Sequence, residues 1–232
     1  MNRRISAISF AFLAATIVGM VGPAIVYGAG PAATPPLGIN SALSAREFSN
    51  RAETAFKSGD YQGAAHAWLH SLVDDPRNGR STMMLGQSLF AMGNFGEAAG
   101  ATQAAMRLLP KDKWGVAVAN YKELYGKNLQ DYTDQLRALE KGVTDNPNNP
   151  ALRFLLGFQY AYLGFPKEAV DQLNRGLAIE PRDAISKELR DEMQAKLLKP
   201  EAPNAKSSLG RTNAETWIES LISKIKHIPA SK

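Results

Sequence analysis

Four prolines set the rhythm of this chain. Pro76 stands in Asp-Asp-Pro-Arg-Asn, Pro110 in Leu-Leu-Pro-Lys-Asp, Pro147 in Asp-Asn-Pro-Asn-Asn and Pro181 in Ile-Glu-Pro-Arg-Asp, at intervals of 34, 37 and 34 residues. A proline inside a helix lacks the N–H its turn needs and clashes with the turn before it, so each of these ends a helix. The stretch from Gly79 to Asp112 shows what one interval holds. Leu85, Gly86 and Leu89 fall at helical spacing and run to Gly93; Phe95, Ala98, Ala99, Thr102, Ala105, Met106 and Leu109 then run to Pro110. The unit reads helix, short turn, helix, stop.

The other intervals follow suit. Ser44-Ala45-Arg46-Glu47 is a capping-box pattern, in which serine and glutamate each satisfy an orphan N–H, so it opens a helix that runs to about Ser58. Gly59-Asp60 turns the chain, and Tyr61, Ala64, Ala65, Trp68 and Leu72 share one face of the next helix. The third interval is three residues longer. There, Gly126-Lys127-Asn128 is expected to open a longer inter-helix turn before a helix with Tyr132, Leu136, Leu139 and Val143 on one face. After Pro181, the stripe Ile185, Leu189, Met193 and Leu197 fits a terminal helix, the polar-backed end that a stack of repeats requires.

This pattern resembles the tetratricopeptide repeat, a helix–turn–helix unit with small residues at fixed offsets. The matching residues are Phe48, Arg51, Ala52, Ala55, Gly59, Tyr61, Ala64, Trp68 and Pro76 in the first unit. In the second they are Thr82, Leu85, Gly86, Leu89, Gly93, Phe95, Ala98, Thr102 and Pro110, and in the fourth Arg153, Leu156, Gly157, Tyr160, Gly164, Ala169, Leu173 and Pro181. The resemblance implies an all-α, right-handed superhelical solenoid of antiparallel helix pairs. Its units are 45–78, 79–112, 113–149 and 150–183, with a terminal helix over 184–198, all within a domain spanning 44–198. Ala52, Gly86 and Gly157 on first helices, and Ala64, Ala98 and Ala169 on second helices, mark the close crossings; a larger side chain there forces the helices apart.

The resemblance also implies that first helices line a concave groove. Carried over by position, that groove takes Arg46, Ser49, Glu53, Phe56 and Lys57; Arg80, Met83, Gln87, Phe90 and Ala91; Trp114, Ala117, Tyr121, Leu124 and Tyr125; and Ala151, Phe154, Phe158, Ala161 and Tyr162. Met83, Gln87, Phe90, Trp114, Tyr121, Tyr125, Phe154, Phe158 and Tyr162 are the candidate partner-binding set. The Lys, Asn and Arg set with which some family members clamp a terminal carboxylate is missing.

The ends of the chain read differently. Asn2-Arg3-Arg4 followed by the uncharged stretch Ile5 to Tyr27 marks residues 1–30 as an export signal or, uncleaved, an anchor through residues 5–27. That places the chain in the periplasm or outside the cell. Residues 31–43 are a Pro/Ala/Gly linker and 199–211 a polar one. Thr212-Asn213-Ala214-Glu215 opens an amphipathic helix over 212–229, anchored by Trp217, Leu221 and Ile225. Three destinations suit it: its own solenoid, a partner, or a membrane surface.

Catalytic chemistry finds little support. The chain has no cysteine and three histidines. His66 and His70 lie four apart, but Ala67 follows His66 where a metalloprotease needs glutamate, and no third ligand is apparent. No phosphate loop, dinucleotide fingerprint or nucleophile elbow occurs. The 27 basic residues are interspersed with 22 acidic ones, which argues against nucleic acid. The expectation is therefore a non-enzymatic scaffold of the cell envelope, with no cofactor or metal, whose apolar groove takes a helix or apolar peptide. The alternative is a structural subunit that assembles with itself through the Trp217 helix.

Overall fold

The computed structural model describes residues 37–198, with side chains from residue 41. The export segment, the polar linker 199–211 and the 212–229 helix lie outside the described residues. Among those described the fold is entirely helical. In order the helices are α1 (Leu37–Ser58), α2 (Tyr61–Asp74), α3 (Gly79–Ala91), α4 (Phe95–Leu108), α5 (Val116–Ala119), α6 (Tyr121–Tyr125), α7 (Leu129–Asp145), α8 (Pro150–Leu163), α9 (Pro166–Ile179) and α10 (Ala184–Leu198). None of them is long and apolar enough to cross a membrane.

Three tight hairpins form the stack: α1 with α2, α3 with α4, and α8 with α9. Their turns rest on Gly59, Gly93 and Gly164, whose positive φ angles of 89°, 79° and 91° are open to glycine at little cost. Helices α2, α3 and α8 are capped by short polar side chains. Asp60 accepts from the Gly63 N–H and Asn78 from that of Ser81, while Asn149 accepts from Ala151 and Leu152. The crossings are as close as the small residues imply. A Cβ on Gly86 would lie 2.9 Å from Thr102 Oγ1, and one on Gly157 2.8 Å from Leu173 Cγ. Ala52, Ala64, Ala98 and Ala169 are fully buried.

Two boundaries differ from the sequence reading. Helix α1 begins at Leu37, so Ser44-Ala45-Arg46-Glu47 lies inside a helix rather than at its start, and part of the expected linker is helical. No proline or paired glycine separates Leu37 from Ser44, so nothing in the chain stops the helix from extending backward. The third interval differs more. Its first half is split at Asn120 into α5 and α6, and the inter-helix turn expected at residues 126–128 is a single 3₁₀ turn.

The split has a consequence for the whole stack. Helix α4 packs directly against α8, as α2 does against α3, so the fourth unit stacks on the second. The third unit is displaced onto the side of the first helices. There α6 and the turn after it meet α1, while α5 and α7 meet both α3 and α8. Trp114 pins its entry: the indole N–H donates to the carbonyls of Met106, at 2.8 Å, and Leu109, at 3.1 Å, at the end of α4. Those carbonyls have no intrahelical partner, and the indole supplies one.

Candidate interaction groove

A buried aromatic cluster joins the third unit to the stack. Phe56 of α1 meets Tyr125 edge-on with centroids 5.0 Å apart, Tyr125 meets Tyr132 at 5.2 Å, and Tyr132 stacks on Tyr121 at 4.5 Å. Phe90 of α3 approaches Tyr132 from the other side. Hydrogen bonds fasten the edges. Tyr61 donates to Asp131 at 2.7 Å, the Asn128 amide to the Lys57 carbonyl at 3.2 Å, and Tyr132 to Gln159 at 3.0 Å. Tyr160 of α8 donates to Glu140 of α7 at 2.8 Å. Burial pushes the Glu140 carboxyl up to about 7, against the opposing pull of that bond and of Arg137.

The candidate groove set must therefore be corrected. Met83, Gln87, Phe90, Trp114, Tyr121, Tyr125, Phe154 and Phe158 are all buried. Much of the face expected to be an open groove is covered by the chain's own third unit: Phe90, Tyr121 and Tyr125 pack in the aromatic cluster and Trp114 bonds the end of α4, while Met83 lines the groove that remains. Tyr162, partly exposed, lies flat against Gly115, where a Cβ would meet its ring at 1.9 Å. The anchors Trp217, Leu221 and Ile225 lie outside the described residues.

A shorter groove survives at the N-terminal end. It is a cavity of about 490 Å³ between α1, α3 and α5–α6, within the range of ligand pockets. Met83, Met84, Leu109, Val116, Ala117 and Leu124 supply its apolar surface; Glu53, Lys57, Arg80, Lys113, Asn120 and Glu123 ring it. Arg80 holds Glu53 at 2.8 Å across the α1–α3 gap. Lys57 and Glu123 form no ion pair among the described residues. Val116 is 48% exposed, an apolar side chain facing water at the mouth. Glu53, Lys57, Arg80, Met83, Ala117 and Leu124 all belong to the wider set of groove positions read from the sequence. Met84, Leu109 and Val116 do not, because the displacement of the third unit brings them in.

A second cavity, of about 510 Å³, is bounded by Lys111, Asp112, Glu188, Asp191 and Glu192, with Lys111 and Glu188 paired across it at 2.5 Å. His66 and His70 are both exposed, and His70 stacks on Phe48 at 4.9 Å. Among the described residues no cluster of three His, Cys, Asp or Glu side chains could hold a metal ion.

The model of the tetratricopeptide repeat family matches residues 49–113. No curated protein matches the sequence. Solved structures that are similar include the TPR domain of Arabidopsis OM64, 12% identical with a TM-score of 0.33, covering 67% of this chain and 98% of that one. The first TPR domain of human RPAP3 is 16% identical with a TM-score of 0.31, covering 66% and 92%. MamA from Desulfovibrio magneticus RS-1, from residue 41 to its end, is 13% identical with a TM-score of 0.31, covering 79% and 93%. Residues 49–113 thus carry the tetratricopeptide-repeat match, and they lie within an all-helical array of stacked hairpins.

Proposed function

We propose that this chain is an exported protein-interaction scaffold of the cell envelope that binds a short apolar segment of its partner at the N-terminal groove. The tetratricopeptide-type fold suggests a protein-binding scaffold, and proteins of that type are generally not catalysts. The observation that carries the finer reading is the groove itself, an apolar, methionine-containing surface inside a charged ring. Methionine adapts its shape to varied apolar side chains, and a bounded cavity takes the few apolar anchors that a short segment presents. Export rests on Arg3 and Arg4 followed by the uncharged stretch through Tyr27.

Selection of random displayed peptides on the full chain tests the groove. Apolar peptides should emerge, with binding lost in Val116→Lys and retained in Leu69→Lys, since Leu69 is an exposed position on α2 outside the groove. Peptides indifferent to Val116→Lys, or none at all, would overturn the reading. A fusion of residues 1–43 to a reporter active only after export tests the location separately.

A further inference from the structure

We infer that the resident occupant of this groove is the chain's own segment 212–229, which covers it in cis until a partner displaces it. The inference rests on the groove reading above and adds the identity of what sits there.

The position where the described chain ends supports it. The described residues end within α10, at Leu198, with Leu197 and Leu198 exposed. Two residues back, the Lys196 ammonium stands 5.6 Å from the centre of the Tyr162 ring. Tyr162 lines a small cavity together with Asn120 and Glu123, and those two residues also ring the groove. The described chain therefore ends near Tyr162, whose cavity shares Asn120 and Glu123 with the groove. Residues 199–211 can span up to roughly 45 Å when extended, ample for a return to the cavity.

The chemistry of the segment suits the site. Trp217, Leu221 and Ile225 recur every fourth residue, the spacing that lays apolar anchors along one face of a helix. The groove offers them Met83, Met84, Leu109, Val116, Ala117 and Leu124. Both signs of charge match as well. Lys57 and Glu123 on the rim form no ion pair among the described residues, and the segment carries Glu215 and Glu219 ahead of Lys224 and Lys226. A tethered occupant competes at the effective concentration set by its linker, so even a weak contact holds a large share of the sites.

The absence of cysteine makes a direct test simple. Full-length chain carrying Val116→Cys with Leu221→Cys is oxidised beside a control carrying Leu69→Cys with Leu221→Cys. An intrachain disulfide several-fold more abundant in the first pair is the expected result. Equal yields from the two pairs, or no bond in either, would overturn the inference. Bonds formed only between two chains would overturn it too, and assign the groove to a second copy. As a second measurement, Trp217→Ala with Leu221→Ala in the full chain should raise the affinity of the selected apolar peptides several-fold; unchanged affinity counts against a resident competitor. If the disulfide fails while those peptides still bind in a Val116-dependent way, only this inference falls. If no peptide binds, the groove reading falls.

Discussion

The regular hairpins and the third unit both lie between proline stops, three residues further apart in the third, and pack in opposite ways. In α3–α4 and α8–α9 the crossing positions hold Gly86 with Ala98 and Gly157 with Ala169, so the two backbones come together. The third unit has Asn120 at the position equivalent to Gly86. On its second helix it has Tyr132 at the position equivalent to Ala98, or Gln135 if the three extra residues shift the register. Neither pairing permits a close crossing. The helix breaks at Asn120, and the large side chains bury themselves instead among Phe56 and Phe90 of the neighbouring first helices. Helix spacing makes a repeat possible; the volume at the crossing decides whether it stacks.

The sharpest way to break this contrast is to ask whether the third unit is core or lid. Tyr132 is 1% exposed and touches Tyr121, Tyr125 and Phe90. Tyr132→Ala should cost ~3–5 kcal/mol in global stability, the range for deleting a buried aromatic side chain. Equilibrium urea unfolding of the variant measures it. A loss confined to local opening of residues 111–149, with the global transition unmoved, would make the unit a lid on an independent stack.

The next test exchanges volume at equivalent positions. Gly157→Leu should destabilise by ~1–3 kcal/mol, because its new side chain meets Leu173 and the Ala169 carbonyl. Asn120→Leu, at an exposed break between short helices, should stay within ~0.5 kcal/mol. Similar losses from both, read by thermal melting, would mean that crossing volume does not distinguish the two kinds of unit. A smaller effect belongs to the seam. Tyr61→Phe removes the hydroxyl that bonds Asp131 across 70 residues of sequence and should cost ~1 kcal/mol; a neutral result would leave the aromatic cluster as the whole attachment.

The stacked hairpins were legible because their signals are local. Proline stops, turn glycines and small crossing residues all lie within one interval. The place of the third unit was not legible in the same way. Trp114, Tyr121 and Tyr125 fall at helical spacing whether they face a groove or a neighbouring helix, and only the long-range choice to pair α4 with α8 buries them. The contact between Gly115 and Tyr162 joins residues far apart in sequence and leaves no pattern in it. Asn120 was the available sign, a polar residue where the sister units carry Ala52, Gly86 and Gly157. The surviving groove was half legible. Glu53 and Lys57 on α1 and Arg80 and Met83 on α3 follow from the repeat, whereas Met84 and Val116 do not.

The finest difference between the regions is one of titration. Glu140 joins α7 to α8 through Tyr160, and burial raises its carboxyl from 4.5 to about 7. The folded state therefore holds the proton more tightly than the unfolded state does. Its contribution to stability is fully present below pH 4.5 and drains away as the pH climbs toward and through 7. Glu140→Gln keeps an acceptor for Tyr160 but cannot ionise. Wild type should thus lose more stability than Glu140→Gln between pH 5 and pH 8, a gap best followed by denaturant midpoints at each pH. Parallel profiles for the two proteins would show that the carboxyl is better solvated than its packing implies, and that the third unit sits more loosely on α8 than the hairpins sit on one another.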